Sequence, residues 1–162
     1  MIDSLDAEIL SILQENCRTS NAEIARQVGL APSAVFERIR KLEEKEIIRG
    51  YRAEIDPAAL DLGQLAFIFI RSNDRPGGDQ TSQKLAGVPE ILELHHVAGE
   101  DCFLAKVRVR DAEALGRLLR ERLGRISTIA STRTTMVLEV VKETAALPLK
   151  SEQERAGAAA RG

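Results

Sequence analysis

The stretch from Ser20 to Tyr51 constrains this chain more than any other. It carries two helical patterns separated by a tight turn at Gly29, and the second opens on Pro32 and carries several cations. Ser20 and Glu23 have capping-box spacing, in which the Ser hydroxyl accepts from the Glu23 amide and the Glu23 side chain returns to Ser20. Ile24, Ala25 and Val28 then point inward, and Gly29 supplies a left-handed terminator. Pro32 takes the first helical position, where a missing N–H costs nothing. On the helix that follows, Val35, Ile39 and Leu42 make a narrow core stripe opposite Ser33, Glu37, Arg40 and Lys41, with Phe36 and Arg38 on the flanks. One helix that braces and one that is presented to a major groove is the layout of a helix-turn-helix. A plain solvated helix face accounts for the same charges.

Leu5, Ile9, Ile12 and Leu13 repeat at helical spacing upstream, so an additional helix starts near Asp3. Downstream, Tyr51, Ala53 and Ile55 alternate with Arg52 and Glu54, which predicts a short strand acting as wing and linker. Asp56-Pro57 breaks it, and residues 58–63 read as a short helical turn or connector.

The second half reads β-α-β-β-α-β. Residues 65–71 are nearly continuous apolar, as in a strand covered on both faces. Asp79 is placed to cap a short polar helix ending near Gly87, and a strand follows over 91–97. A turn at Gly99-Glu100-Asp101 leads into a strand over 102–110 with Phe103, Ala105, Val107 and Val109 facing the core. Asp111 caps a helix with Leu115, Leu118 and Leu119 inward, closed by Gly124, and residues 128–142 predict a long last strand. That order is the split βαβ, or ferredoxin-like, arrangement. It leaves one sheet face bare of the chain's own helices, and a homodimer is the economical cover.

The fold class is therefore α+β: an N-terminal winged-type helix-turn-helix domain over 1–50, a β linker over 51–63, a C-terminal ferredoxin-like βαββαβ domain over 64–145, and a flexible tail over 146–162 that is rich in Ala and Gly. Aromatic residues make up 3% of the chain, so the cores must be aliphatic. The net charge of −2 argues against indiscriminate polyanion binding and makes any DNA contact local. Between Arg18 and Arg52, eight cations outnumber five anions, so that window is locally basic. Cys17 and Cys102 have neither disulfide-framework nor metal-ligand spacing. His95 and His96 are adjacent, so a strand sends them to opposite faces, away from any shared metal. No apolar run reaches spanning length and the N-terminus lacks a signal-peptide layout, so a soluble, cytoplasmic (nucleoid-associated) protein with no membrane partner is expected.

Taken together the chain resembles the Lrp/AsnC family of feast/famine transcription regulators. The matching residues are Leu5-Asp6 with Ile9-Leu10, Arg18-Thr19-Ser20, Glu23-Ile24-Ala25, Val28-Gly29-Leu30, Pro32-Ser33-Ala34-Val35, Arg38-Ile39, Lys41-Leu42-Glu43 and Ile48-Arg49-Gly50-Tyr51. Pro89-Glu90-Ile91, Val97-Ala98-Gly99, Phe103-Leu104 and Thr132-Arg133-Thr134 continue the match, which spans about residues 4–142. The resemblance implies a DNA reader joined to a ligand-sensing module. Family members dimerise through their sheets, often assemble to octamers, and bind small effectors, commonly amino acids, between dimers. This chain departs from the family pattern at Ala31 (usually Ser), Glu46 (usually Gly) and Cys102 (commonly Asp).

For double-stranded DNA, the candidate residues are Ser20, Ser33, Ala34, Phe36, Glu37, Arg38, Arg40 and Lys41. Ser33, Phe36 and Glu37 are expected to read bases, while Arg38, Arg40 and Lys41 divide between bases and phosphates. For the effector they are Ala98, Gly99, Glu100, Asp101 and Cys102, with Thr132 and Thr134 adding hydroxyls. On the residues alone the 98–102 loop is a hairpin turn; the resemblance makes it a clasp for an amino acid's ammonium and carboxylate. Catalytic residues, metal and cofactor are expected to be absent, since no nucleophile–base pair, metal cluster or phosphate loop is present. The alternative to an effector-tuned regulator is an architectural protein that wraps DNA without an effector.

Overall fold

The computed structural model describes residues 2–75, 78–99 and 101–149. Two compact units emerge: one runs through Glu54 and is joined by the segment after Lys142, and the other covers Ile55–Lys142.

The first unit holds α1 (Ser4–Glu15), α2 (Asn21–Val28) and α3 (Pro32–Glu44) around Ile9, Ile24, Ala25 and Val35, with Ile12, Leu13, Val28, Leu30 and Ile39 packed on that centre. Each helix starts where the sequence places it, but the capping differs. Ser20 accepts from the Glu23 amide at 3.2 Å, yet the Glu23 side chain turns to Arg26 and Gln27 instead of returning to Ser20. The reciprocal box belongs to α1, where Asp3 accepts from the Asp6 amide at 2.8 Å and Asp6 accepts from the Asp3 amide at 3.3 Å. Gly29 is left-handed, with φ 70°, and Ala31 heads α3 with no side-chain cap. Past the end of α3 it is Glu46 that takes the left-handed turn, at φ 55°, so the Ile47 and Ile48 amides reach back to the Leu42 carbonyl.

The predicted strand over 51–55 is not formed within the chain: these residues are exposed and carry no ladder. A strand needs an adjacent edge, and among the described residues none pairs with that stretch. Asp56 caps a short 3₁₀ turn over Pro57–Leu60, as expected of a connector. The tail also departs from expectation at its start. Gln14 on α1 donates to the Leu147 carbonyl at 3.0 Å and accepts from the Leu147 amide at 2.7 Å, so this part of the segment is fixed to the first unit. An extended backbone offers both groups to one side, and a primary amide matches that pair.

The second unit contains β1 (Gln64–Ser72), α4 (Gln80–Ala86), β2 (Ile91–His96), β3 (Phe103–Val109), α5 (Ala112–Arg117, continued by a wide turn through Arg122 and a tight one to Arg125) and β4 (Ile129–Met136). The strands form one antiparallel sheet in the order β2-β3-β1-β4. Ala66, Ile68 and Ile70 of β1, with Ala105 and Val107 of β3, bury against Leu85, Leu115, Leu118 and Leu123 of the helices. Period-two alternation accounts for this face directly. Phe67 and Phe69 point to the other face, which no helix of this unit packs against, and they are only half-buried.

Three second-unit expectations shift. β4 stops at Met136, with one further ladder bond from the Val137 amide to Leu65, because β1 begins at Gln64 and offers no edge beyond that point. Asp79 heads α4 without capping it; Asp74 accepts from the Thr81 amide at 3.0 Å instead. Gly124 lies within the closing turn, which ends at Arg125.

Candidate DNA interface and effector loop

α3 follows α2 after a connection fixed by Gly29 and Pro32, and its two faces are set by the helical repeat. Val35 is fully buried and Leu42 nearly so, whereas Ser33, Phe36, Glu37, Arg40 and Lys41 are exposed. Phe36 is 54% exposed, far more than its size favours in a helix without a partner. Ala34 is exposed and, with Ile2, Arg38 and Lys41, lines an open groove of about 320 Å³. Ser20 spends its hydroxyl on the α2 cap while remaining exposed at the start of that helix.

The cations of α3 are not equivalent. Arg40 donates through Nε (3.3 Å) and Nη2 (2.7 Å) to Oε2 of Glu37, and through Nη1 to Glu44. That contact, with Lys41 adding a smaller pull, holds the Glu37 carboxyl below its ordinary value. The Lys41 side chain makes no hydrogen bond or ion pair among the described residues and is exposed. Arg38 lies to one side of the exposed face. About 100° of turn per residue swings it well away from Ser33. Its Nη1 meets Asp3 Oδ2 at 2.6 Å and Asp6 Oδ1 at 2.7 Å. Arg38 thus fastens α3 to the start of α1.

The second candidate is the β2–β3 loop. The Val97 amide donates to the Cys102 carbonyl at 2.9 Å, closing a hairpin that contains Ala98, Gly99 and Asp101; Glu100 lies outside the described residues. Gly99 has φ 130°, a conformation side chains disfavour, so a Cβ there would strain the loop. Asp101 Oδ2 accepts from Arg133 Nη2 at 3.0 Å, and the Arg133 guanidinium lies 4.0 Å from the centre of the Phe69 ring. Cys102 Sγ approaches the Ser72 carbonyl at 3.9 Å.

Thr132 and Thr134 pair with Ile70 and Ile68, so they stand on the helix-bearing face, whereas Arg133 pairs with Phe69 on the open one. Within one chain, then, the loop meets Arg133 and not the two threonines. Strand alternation carried that signal, since the middle residue of Thr132-Arg133-Thr134 must face opposite its neighbours. His95 and His96 do diverge: His95 sits beside Glu93 on the open face, and His96 stacks 5.1 Å from Phe103. Among the described residues no group of three or more His, Cys, Asp or Glu is arranged to hold a metal ion, and no helix is long and apolar enough to cross a membrane.

The AsnC-type helix-turn-helix domain matches residues 2–43, and the Lrp/AsnC ligand binding domain matches residues 65–147. The chain belongs to the Lrp/AsnC family. Its members are transcription regulators rather than enzymes, with a DNA-binding helix-turn-helix ahead of a ligand-binding domain. The leucine-responsive regulatory protein of Salmonella typhimurium is 40% identical over 153 residues, covering 93% of each chain. A transcriptional regulator of Neisseria meningitidis in complex with L-methionine superposes with a TM-score of 0.87 at 29% identity, covering 92% of this chain and 97% of that one. A feast or famine regulatory protein from M. tuberculosis, complexed with L-methionine, superposes with a TM-score of 0.85 at 30% identity, covering 93% and 100%. In this Lrp/AsnC chain the reader is the α1–α3 unit, and the βαββαβ unit is the ligand-binding domain.

Proposed function

We propose that this Lrp/AsnC protein binds specific duplex sequences through α3 and that an amino acid tunes the binding. The observation that carries the reading is the split of α3 into a fully packed stripe, Val35 and Leu42, and a bare polar face, Ser33, Glu37, Arg40 and Lys41. A helix braced in this way by α1 and α2 fits a major groove. Reader, linker, sensor and tail are assigned to 1–50, 51–63, 64–145 and 146–162, with the start of the tail anchored on α1.

An amino acid needs an acceptor for its ammonium and donors for its carboxylate. The 98–102 loop offers Asp101 and, among the described residues, the amides of Ala98, Gly99 and Asp101, which donate to no protein acceptor. The two relatives solved with L-methionine support that ligand class. Half-buried Phe67 and Phe69 on the open sheet face favour a homodimer, and dimers closing into an octamer would bring loops and strands of different chains together. Thr132 and Thr134 would then serve a neighbouring chain's loop. The effector acts by binding one arrangement of dimers more tightly than another, which shifts how paired α3 helices match half-site spacing. The protein would act on nucleoid DNA in the cytoplasm.

The test is a titration of labelled duplex from upstream of the protein's own gene, with and without each amino acid, alongside the mass of the assembly. A ligand that moves affinity or mass supports the reading. Constant affinity and constant mass with every amino acid would instead support effector-independent DNA wrapping.

A further inference from the structure

The exposed face of α3 is electrically balanced: Glu37 and Glu44 face Arg40 and Lys41. Affinity drawn from phosphates needs excess cations, and here two carboxylates would lie against a polyanion. Carboxylates on a probe helix add nothing to phosphate affinity, but one that is held in place can accept from a base edge. Arg40 organises one of them. Both of its contacts to Glu37 fall on Oε2, at 2.7 and 3.3 Å, so Oε1 keeps its acceptor capacity while the side chain is fixed at its other oxygen. The same guanidinium reaches Glu44 through Nη1, so its position is set from both directions along the helix.

In the major groove cytosine presents an N4 amino donor, whereas adenine places the N7 acceptor beside its N6 donor, and guanine and thymine present no donor at all. An oriented carboxylate oxygen therefore selects cytosine. Resting on the reading of α3 as the DNA probe, we infer that Glu37 is a base-selecting residue that accepts through Oε1 from a cytosine N4 amino group, with Arg40 as its positioning residue. The contact gives sequence preference rather than affinity. Arg40 and Lys41 hold the carboxyl below its ordinary value, so the acceptor is ionised at neutral pH.

The experiment is selection from randomised duplexes by full-length wild type, Glu37→Ala, Glu37→Gln and Arg40→Ala, followed by titration of each protein against the selected duplex and its single-base variants. Wild type should prefer cytosine over any other base at one position per half-site by roughly 5- to 150-fold. Glu37→Ala should lose that preference while other positions stay enriched and its affinity for unrelated duplex does not fall. Glu37→Gln, which keeps the size of the side chain, should move the preference to adenine, because an amide pairs with N6 and N7 together. Arg40→Ala should narrow the cytosine preference by loosening the carboxylate. If Glu37→Ala and Glu37→Gln both select the wild-type motif with its cytosine intact, the inference fails and DNA reading by α3 survives. If wild type enriches no motif, the reading of α3 itself fails and this inference with it.

Discussion

Replacing Arg38 by Ala separates a structural cation from a DNA-contacting one. The guanidinium bonds two carboxylates that also cap each other's amides, so one side chain closes a junction between α1 and α3. Side-chain exposures of 30% for Arg38, 17% for Asp6 and 51% for Asp3 put the Asp6 bond in partly excluded solvent and the Asp3 bond near the surface. A charge-assisted bond of the first kind contributes about 1.5–3 kcal/mol, and an exposed pair about 0.2–1 kcal/mol. The loss on Arg38→Ala should therefore be about 2–3 kcal/mol, with the two carboxylates left repelling each other. Tyr51 is the single Tyr of a chain without Trp and lies in the first unit, so its fluorescence during urea unfolding reports that unit alone. The sign with pH follows from Asp3, whose carboxyl is held below 3.8 by the Asp6 amide first and then by Arg38. A depressed carboxyl stabilises the fold above its unfolded value and loses that contribution as pH falls through the folded one. The share of the gap that Asp3 carries should thus be full at neutral pH and shrink as pH falls from about 3.8 through the lower folded value. At urea-free neutral pH the folded variant should bind duplex almost as wild type does. An unchanged unfolding midpoint with a large loss of affinity would refute the reasoning and return Arg38 to the DNA surface.

Other perturbations test other joints. Glu46→Gly relieves a non-glycine residue at φ 55° and should raise the urea midpoint of the first unit by an amount equivalent to about 0.5–1 kcal/mol. Ile24→Ala, at a fully buried position, should cost about 2–5 kcal/mol by the same fluorescence assay. Arg133→Ala removes the Asp101 partner and the cation over Phe69, so calorimetry should show weakened amino-acid binding with duplex affinity in the absence of ligand retained. Lys41→Ala should flatten the salt dependence of duplex binding by about one unit of slope, with oligomer mass unchanged.

Much of the fold is written in periodicity. The α3 stripe and the Phe103-to-Val109 alternation were legible because one face of each must bury, and Gly29, Pro32 and Asp111 punctuate where their backbone chemistry demands. What was not legible depends on pairing across space. The 51–55 alternation has the pattern of a strand, but a pattern cannot supply an edge, and none of the described residues pairs with it. Residue type did not reveal that Arg38 answers to Asp3 and Asp6, a relation between segments more than thirty residues apart. Likewise Arg133 stands between two threonines, and alternation alone places it on the face opposite theirs. The Glu46 turn was readable in part: the family's usual Gly pointed to a left-handed residue, and Glu46 accepts that conformation at a cost.

The most direct test of the account is methylation interference on a duplex that the protein selects. If α3 enters the major groove, methyl groups on guanine N7 within each half-site should block binding, and the blocked guanines should recur about one helical turn, or a multiple of it, apart. Binding that ignores N7 methylation and responds only to methyl groups on adenine N3, in the minor groove, would contradict it.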